Sequence, residues 1–260
     1  MMKKTLFLYF LWIYLIPANA TAQVLNIERE RLKTDTTGLA GSVKVNVNLI
    51  KNVEKLTEIG FFSHLQYKTP RSLYLLLLDY NLIKSAKDDF SNKGMSHLRF
   101  NYKLTPVVSL EIFTQAQFNK VLGINFRALA GAGPRFKVIG NDHFRLYSGL
   151  AWMIEHEEPV KIESDLYQMP VETVHRASSY LSFTINVTDN LLITNTTYYQ
   201  PRPDKFNDYR ISTDLAAIFK ITEMMSFSFS YVYLYDKVPS VGVPDLVYTI
   251  KNSLIIDFGR

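Results

Sequence analysis

The sequence lacks cysteine altogether and, beyond its first 22 residues, lacks any long apolar run. Without cysteine there can be no disulfide framework and no lipid-modified cysteine after an export signal, which excludes disulfide-rich secreted domains and lipoproteins. The longest apolar stretch after residue 22 covers residues 73–78. A membrane-spanning helix needs about 20 such residues. The chain beyond residue 22 therefore cannot span a membrane as helices.

Clustered positive charge is also missing. The 29 basic and 24 acidic residues give a formal charge of +5, and the basic residues are dispersed along the chain. A surface that binds phosphates needs its basic residues gathered in one patch. Nucleic acid is therefore excluded as a partner.

The N-terminus has the order of a secretory signal: Lys3 and Lys4, an apolar run over residues 6–16, then small residues up to Ala22. The apolar run is too short for a membrane anchor. We place cleavage after Ala22, with Ala20 as the alternative. Residues 1–22 are then the signal peptide, and the mature chain, 23–260, carries a formal charge of +3 because two lysines are removed.

Apolar and polar residues alternate from about Gly41 to the C-terminus, which is the period of a strand with two different surroundings. About twelve segments alternate in this way, and they run to ten or more residues, as tilted membrane strands do. Lipid permits strands only in a closed barrel, because every backbone group must be paired internally. We predict an all-β fold, a single antiparallel transmembrane β-barrel of about twelve strands. The facing of segments 72–83 and 191–201 is ambiguous.

The predicted barrel is preceded by a periplasmic segment, residues 23–39, and the sequence does not decide whether this segment plugs the lumen. From a periplasmic N-terminus, the inner turns are short: 68–71, 104–106, 140–142, 188–190 and 222–223. The outer connections are predicted at 84–94, 156–172, 202–207 and 236–244, with a short one at Asn119 and Lys120. Aromatic residues near the ends of apolar faces predict interfacial girdles: Tyr67, Tyr102, Phe118, Trp152, Tyr209 and Tyr235.

Several short motifs together resemble a known family. They are Asn-Ile-Glu-Arg-Glu-Arg at 26–31 with Gly38 and Gly41, Glu-Ile-Phe-Thr-Gln at 111–115, Arg-Ala-Leu-Ala-Gly-Ala-Gly-Pro-Arg at 127–135, Gly149 with Glu155, Arg-Ala-Ser-Ser-Tyr at 176–180, Tyr-Tyr-Gln-Pro at 198–201 with Asp208 and Arg210, and Tyr235-Asp236 with Pro239.

Over nearly the whole mature chain this set resembles the family of salt-induced outer-membrane proteins, domain of unknown function 481. The resemblance implies a barrel in the cell outer membrane and no established activity or catalytic residues. The family's name suggests a role in envelope or osmotic stress. The chain differs from many barrel proteins at its end: they commonly finish on an aromatic residue that assists assembly, whereas here Phe258 is followed by Gly259 and Arg260.

The inward polar face is the candidate functional site. Its charged side chains fall on the same side of consecutive or near-consecutive strands, within reach of one another. One hypothesis is a small channel whose arginine-rich lumen favours anions or polar solutes. The other is a closed, ion-paired interior that makes the barrel a structural component. The candidate lumen-lining residues are Arg99, Glu111, Arg127, Arg135, Arg145, Glu155, Arg176, Arg210 and Asp214.

Other chemistry is weakly indicated. Gly131 and Gly133 lack the third glycine of a dinucleotide fingerprint, so they predict strand with room for a large side chain such as Arg127 or Tyr147. Residues 155–158 could offer oxygen ligands to calcium but are typical of a solvated acidic loop. The histidines lack a zinc spacing. We therefore predict no metal, no cofactor and no catalytic residues.

Two alternatives stay open. A lipid hydrolase resembling the outer-membrane phospholipase would use His175 with Ser178 or Ser179, although His175 and Ser179 lie about 13 Å apart along a strand. A surface binding protein would act through its outer loops, chiefly 156–172. The expected partners are outer-membrane lipid and the barrel assembly machinery, and the expected state is a monomer.

Overall fold

The computed structural model describes residues 37–51, 55–85, 91–160, 170–240 and 243–258. The predicted signal peptide and residues 23–36 lie outside the described residues, so cleavage and a lumen plug stay predictions. In the described part of the chain, no helix is long and apolar enough to cross a membrane.

Twelve strands of 12 to 17 residues account for the alternating sequence. Their length exceeds the 9–11 residues that a tilted strand needs to cross the hydrocarbon core. The strands are β1 (Gly38–Lys51), β2 (Lys55–Lys68), β3 (Ser72–Ser85), β4 (Ser91–Lys103), β5 (Val108–Asn119), β6 (Ile124–Gly140), β7 (Phe144–Pro159), β8 (Glu172–Thr188), β9 (Leu191–Arg202), β10 (Lys205–Lys220), β11 (Met225–Asp236) and β12 (Leu246–Phe258).

Each strand pairs antiparallel with its neighbours in sequence, and β12 returns to β1 to close the barrel. The predicted fold class and strand number are confirmed. β1 already begins at Gly38, so the last two residues of the predicted N-terminal segment form part of the barrel.

The closing seam is the shortest of the pairings. β1 and β12 pair over residues 41–45 and 254–258, five pairs in all, whereas β1 and β2 form fourteen. Residues 246–253 of β12 pair with β11.

The pleat sends alternate side chains into the barrel and out towards lipid, which also settles the two ambiguous strands. In β3, Leu75 and Leu77 point inwards, with exposures of 2% and 0%, while Tyr74 and Leu78 are exposed on the outside. In β9, the inward residues include Tyr198, which is buried. The interior is thus not purely polar, because β3 contributes leucine to it.

Aromatic rings lie in two arcs on the outer face, one near each end of the barrel. Tyr67 packs against Tyr74 with ring centroids 6.4 Å apart, and Tyr74 packs against Phe100 with centroids 5.0 Å apart. Such arcs are the interfacial girdles of membrane barrels. The second arc runs Tyr199, Tyr209, Tyr235, with 5.7 Å between successive rings.

The connections 69–71, 104–107, 141–143, 189–190 and 221–224 share one end of the barrel, the short-turn end. The opposite, long-loop end carries the connections between β7 and β8 and between β11 and β12. At this end Gly123, with φ of 65°, closes a 3-10 turn at Lys120–Leu122, which is the predicted short connection. A positive φ favours glycine because it has no Cβ.

Two sequence expectations at the long-loop end are wrong. β9 and β10 are joined by Pro203 and Asp204 alone, and not by a loop over 202–207; a register shift between Lys205 and Tyr209 interrupts the alternation that would have identified the strand. The acidic segment 155–158 is strand and not loop, because β7 continues to Pro159. Arginines in the interior accommodate its inward-facing carboxylates.

Candidate functional site: the charged barrel interior

All nine side chains predicted to line the lumen lie on the interior face of their strands. Most are fully buried, although charged side chains rarely are unless they are paired. Arg145 is half-buried and is placed inside by its register opposite the buried Thr184. The nine are Arg99, Glu111, Arg127, Arg135, Arg145, Glu155, Arg176, Arg210 and Asp214.

Charged side chains from five strands meet towards the long-loop end, and we call this group the Glu155 cluster. Its members are Arg127 of β6, Glu155 and Glu157 of β7, Arg176 of β8, Asp208 and Arg210 of β10, and Asp236 of β11.

Arg210 makes the contacts that connect distant strands of this cluster. Its Nη1 lies 2.6 Å from Glu155 Oε1 and its Nη2 lies 3.1 Å from Glu157 Oε2. Its Nε donates to Asp236 Oδ2 at 2.7 Å. Because β10 and β7 are not neighbours in the sheet, the Arg210 side chain bridges the interior and does not follow the wall.

Glu155 faces two further arginines. Arg127 Nε lies 3.9 Å from Glu155 Oε2, and Arg176 Nε donates to Glu155 Oε1 at 3.3 Å. Arg127 Nη2 also contacts Glu157 Oε2 at 2.5 Å, and Arg176 Nη2 contacts Asp208 Oδ1 at 3.0 Å. Each charge of the cluster is thus paired, and removal of one partner would leave an uncompensated buried charge.

Arg202 extends the cluster to the rim at the long-loop end. Its guanidinium lies 3.3 Å from Asp208 Oδ2, 3.2 Å from Glu172 Oε2 and 2.8 Å from Asp204 Oδ2. The hydrogen bond from Arg202 lowers the pKa of the Asp204 carboxyl, which lies in the exposed β9–β10 turn. The ion pairs of Arg202 thus continue from the buried cluster to the exposed rim.

A second group, the Glu111 cluster, comprises Arg99, Asn101, Glu111, Arg135 and Tyr180. Arg99 Nη1 donates to Glu111 Oε2 at 3.1 Å, and Asn101 Nδ2 donates to Glu111 Oε1 at 3.1 Å. Arg135 Nε lies 3.6 Å from the same Oε1, and the Tyr180 hydroxyl donates to Oε2 at 3.0 Å. Tyr180 reaches Glu111 from β8, three strands away, so this cluster also bridges the interior.

Glycines of β6 and β7 make room for the bridging side chains. A Cβ on Gly149 would lie 2.2 Å from Tyr180 Cε1, and one on Gly131 would lie 2.6 Å from Phe113 Cζ. The glycines were predicted to leave room for a large side chain such as Arg127 or Tyr147. In the structure the side chains next to Gly149 and Gly131 are those of Tyr180 and Phe113. Tyr147 instead lies 3.7 Å beneath the Arg135 guanidinium.

The space left between the two clusters is small. A cavity of about 40 Å³ lies there, lined by members of both clusters and by polar side chains including Gln115, Ser178 and Gln200. This volume holds about three waters, at roughly 10–15 Å³ each. Elsewhere the described interior also contains two apolar groups: Phe62, Leu75 and Leu77 with Leu73, and Ala216, Ile218 and Ile255 with Leu192.

The sequence interpretation missed part of the site. Glu157 was assigned to a loop, and Asp208 follows directly on the predicted loop 202–207 and was not counted among the lining residues. Each keeps the two-residue spacing of its cluster partner, Glu155 or Arg210. Asp236 was likewise read as the start of a loop. Continuing the alternation past each charged run would have found these three carboxylates. Tyr180 keeps the two-residue spacing of the inward Arg176 and Ser178, but no signal in the sequence pairs it with Glu111.

Among the described residues, no group of three or more His, Asp or Glu side chains is arranged to hold a metal ion, and residues 155–158 therefore form no calcium site there. His156 lies on the outer face of β7 and contacts the Thr173 hydroxyl at 2.8 Å.

The residues of the hydrolase hypothesis are not brought together. Trp152 Nε1 donates to His175 Nδ1 at 3.1 Å on the outer face. Ser179 donates to the backbone oxygen of Tyr199 at 3.3 Å, while Ser178 points inwards and accepts from Gln200 Nε2 at 3.0 Å. Neither serine contacts His175 in this structure, as a nucleophile would contact its base.

Comparison with models of known protein families shows to which family the chain belongs. The model of a family described as protein of unknown function, DUF481, matches residues 58–258. The chain belongs to the DUF481 family. The match runs from β2 to the end of β12, so it contains both charged clusters. A search of curated proteins found no match to the DUF481 chain.

Solved structures of outer-membrane barrels share the fold of the DUF481 chain. An outer-membrane channel of Pseudomonas putida F1 superposes with a TM-score of 0.50 and 11% identity, covering 91% of this chain and 100% of the channel. The porin NanC superposes with a TM-score of 0.49 and 9% identity, covering 84% of this chain and 97% of the porin. The translocator domain of the autotransporter NalP from Neisseria meningitidis superposes with a TM-score of 0.46 and 10% identity, covering 89% of this chain and 92% of that domain. At these identities the likeness concerns the fold alone.

Proposed function

We propose that the DUF481 chain is a permeability component of the outer membrane, a narrow channel that its interior ion pairs hold closed. The observation that carries this proposal is Arg210, whose guanidinium crosses from β10 to Glu155 and Glu157 of β7 while it also holds Asp236 of β11. A side chain that crosses the lumen in this way obstructs it and can also move aside.

The lumen is closed by ion pairs and not by apolar side chains, and this favours a channel that can open over a barrel that is permanently sealed. Buried ion pairs contribute little net stability compared with apolar side chains of similar volume, because desolvation opposes the attraction between the charges. A barrel that only needed to be sealed could use leucine, as β3 does with Leu75 and Leu77. Ion pairs, by contrast, separate at low cost once water reaches them.

The charge balance indicates which solutes would pass. The Glu155 cluster holds three arginines and four carboxylates, and the Glu111 cluster holds two arginines and one carboxylate. The two clusters together are balanced, whereas the sequence suggested a cationic bias. Rings of one sign select ions in pores. A balanced lining favours small polar solutes without strong selectivity for anions.

The same proposal places the chain in the cell outer membrane as a monomer without enzymatic activity. Its apolar outer face and its two aromatic arcs suit contact with outer-membrane lipid. The short-turn end would face the periplasm, and insertion would use the barrel assembly machinery.

Swelling of proteoliposomes in isotonic arabinose or glycine tests this function. Wild-type protein should admit these solutes slowly, and Arg210→Ala should admit them several-fold faster because the bridge from β10 to β7 is lost. Glu158→Gln, on the same strand as Glu157 but outside the clusters, serves as the matched control and should behave as wild type. Equal swelling of all three proteins would contradict the gate. Release of fatty acid from phospholipid vesicles, lost in Ser179→Ala, would favour the hydrolase instead.

A further inference from the structure

The cavity between the two clusters is bordered by a chain of hydrogen bonds whose direction is fixed at one end. Arg99 Nε donates to His97 Nε2 at 3.3 Å, and a guanidinium has hydrogens to donate but no acceptor. His97 therefore carries its proton on Nδ1, which lies 3.0 Å from Gln115 Oε1. Gln115 Nε2 in turn donates to Gln117 Oε1 at 2.6 Å. The chain of donors thus runs from Arg99 towards Gln117.

Gln117 ends this chain with its amide nitrogen. Its Oε1 already accepts from Gln115, so the side chain presents the two hydrogens of Nε2, which donate to none of the residues that the structure describes. The Gln117 side chain lines the cavity and is 7% exposed. A buried N–H group without an acceptor is unfavourable. An acceptor group on a ligand would satisfy it.

Arg127 presents a second donor beside Gln117. The two residues are directly opposite each other on β6 and β5, on the interior face, where opposite side chains are within reach. Arg127 Nε donates to Glu157 Oε2 at 2.7 Å, and Nη2 contacts the same oxygen. Within the described part of the chain, Arg127 Nη1 makes no hydrogen bond. A guanidinium and an amide N–H side by side form a donor set that suits a carboxylate.

The cavity also offers acceptors. Glu155 Oε1 accepts from two arginines at 3.3 and 2.6 Å, whereas Glu155 Oε2 lies 3.9 Å from Arg127 Nε, beyond hydrogen-bond distance. Gln200 Nε2 donates to Ser178 Oγ at 3.0 Å, so Gln200 presents its Oε1 as an acceptor. Glu155 and Gln200 both line the cavity. A carboxylate oxygen and an amide oxygen together suit an ammonium group.

Size and charge restrict the ligand further. The cavity of about 40 Å³ holds about three waters, which take up roughly 90 Å³ in the liquid, so a solute of about five non-hydrogen atoms fits. The two clusters together are balanced in charge, and a ligand with a net charge would disturb that balance. A zwitterion brings a carboxylate and an ammonium group with no net charge.

We propose that this cavity binds a small zwitterion, an α-amino acid of the size of glycine. The ligand carboxylate accepts hydrogen bonds from Gln117 Nε2 and Arg127 Nη1, and the ligand ammonium donates to Glu155 Oε2 and Gln200 Oε1. The inference deepens the proposed function and rests on it, because the solute reaches the cavity through the lumen that Arg210 closes. Small zwitterions are then the class of solute that the channel recognises.

Equilibrium dialysis of the full-chain barrel in detergent against radiolabelled glycine tests the site without transport. The wild-type protein should bind one glycine per barrel. Acetate and methylammonium each carry only one of the two charged groups of glycine. Each should compete less well than unlabelled glycine, by roughly tenfold or more, because each leaves buried partners in the cavity unpaired.

Two nearly isosteric substitutions should have opposite effects. Gln117→Glu still accepts from Gln115 but replaces the donor by a carboxylate that pairs with Arg127, so glycine affinity should fall by roughly tenfold or more. Gln200→Glu strengthens the acceptor for the ammonium group, so glycine should bind at least as tightly as to wild type. Ser228→Ala, buried on the interior face of β11 outside the cavity, is the matched control and should bind as wild type does.

Fast migration on unheated gels identifies the folded variants, and Gln117→Leu, which removes the donor without adding charge, should also lose glycine binding. The inference is overturned if the wild-type barrel binds no glycine or if acetate competes as well as glycine. It is also overturned if Gln117→Glu keeps the wild-type affinity, or if Gln200→Glu loses as much affinity as Gln117→Glu.

Failure of this site and failure of the gate have different signatures. Swelling in arabinose depends on Arg210 and does not require a site for zwitterions. Faster arabinose entry through Arg210→Ala without any glycine binding would overturn the zwitterion site alone. Glycine binding that depends on Gln117, together with equal swelling of wild type and Arg210→Ala, would support the site and contradict the gate.

Discussion

The Tyr180 hydroxyl donates a hydrogen bond of 3.0 Å to Glu111 Oε2, although 69 positions separate the two residues in sequence. Tyr180 belongs to β8 and Glu111 to β5, so the contact passes over the inner surfaces of β6 and β7. It is possible because Gly149 of β7 presents no side chain beneath the tyrosine ring. This single bond links an aromatic residue, a buried carboxylate and a glycine into one cross-lumen arrangement.

Replacement of Tyr180 by phenylalanine removes the hydroxyl while the ring stays against Tyr198, whose centroid is 5.2 Å away. We expect the free energy of unfolding to fall by about 1.5–3 kcal/mol, the range for a hydrogen bond to a charged group. Urea unfolding followed by Trp152 fluorescence measures the change. Tyr199→Phe, on the lipid-facing side, should lie within about 0.5 kcal/mol of wild type. Equal losses in both variants would show that the Glu111 contact is not special.

Gly149→Ala places a methyl group where Tyr180 now lies. The tyrosine must then move away from Glu111, and we expect a loss of about 1–3 kcal/mol, typical of overpacking in a filled interior. The same urea titration reports it, with Ala130→Val as the control that adds bulk at an exposed outer position. In the double variant with Tyr180→Phe the two losses should be less than additive; full additivity would argue against a shared contact.

Glu155→Gln leaves Arg127, Arg176 and Arg210 facing a neutral amide. We expect destabilisation of about 3–5 kcal/mol, as when one partner of a buried ion pair is removed. Loss of the compact, fast-migrating form on unheated gels at a lower urea concentration would reveal it. Glu158→Gln, on the outer face of the same strand, should leave the midpoint unchanged, and a Glu155→Gln midpoint equal to wild type would contradict the ion-pair network.

The alternation of side chains was enough to predict the barrel, its strand number and the inward position of residues such as Glu111 and Arg127. The prediction failed where residue type and the two-residue alternation point to different environments. Four successive leucines at 75–78 carry no period, so only pairing with β2 and β4 assigns Leu75 and Leu77 to the interior. Glu157 was read as loop because exposed charge is its ordinary environment.

The contacts across the lumen were beyond sequence reasoning for a different reason. Alternation assigns a residue to a face but says nothing about which residue it meets through the interior. That Arg210 reaches Glu157, or Tyr180 reaches Glu111, depends on the stagger and closure of the whole barrel.

Single-channel recording in planar bilayers tests the central claim, that ion pairs across the interior close this barrel. The wild-type protein should show little or no steady conductance, while Arg210→Ala should open frequently and without marked preference for anions or cations. A wild-type barrel that conducts steadily, at a level which Arg210→Ala leaves unchanged, would contradict the account.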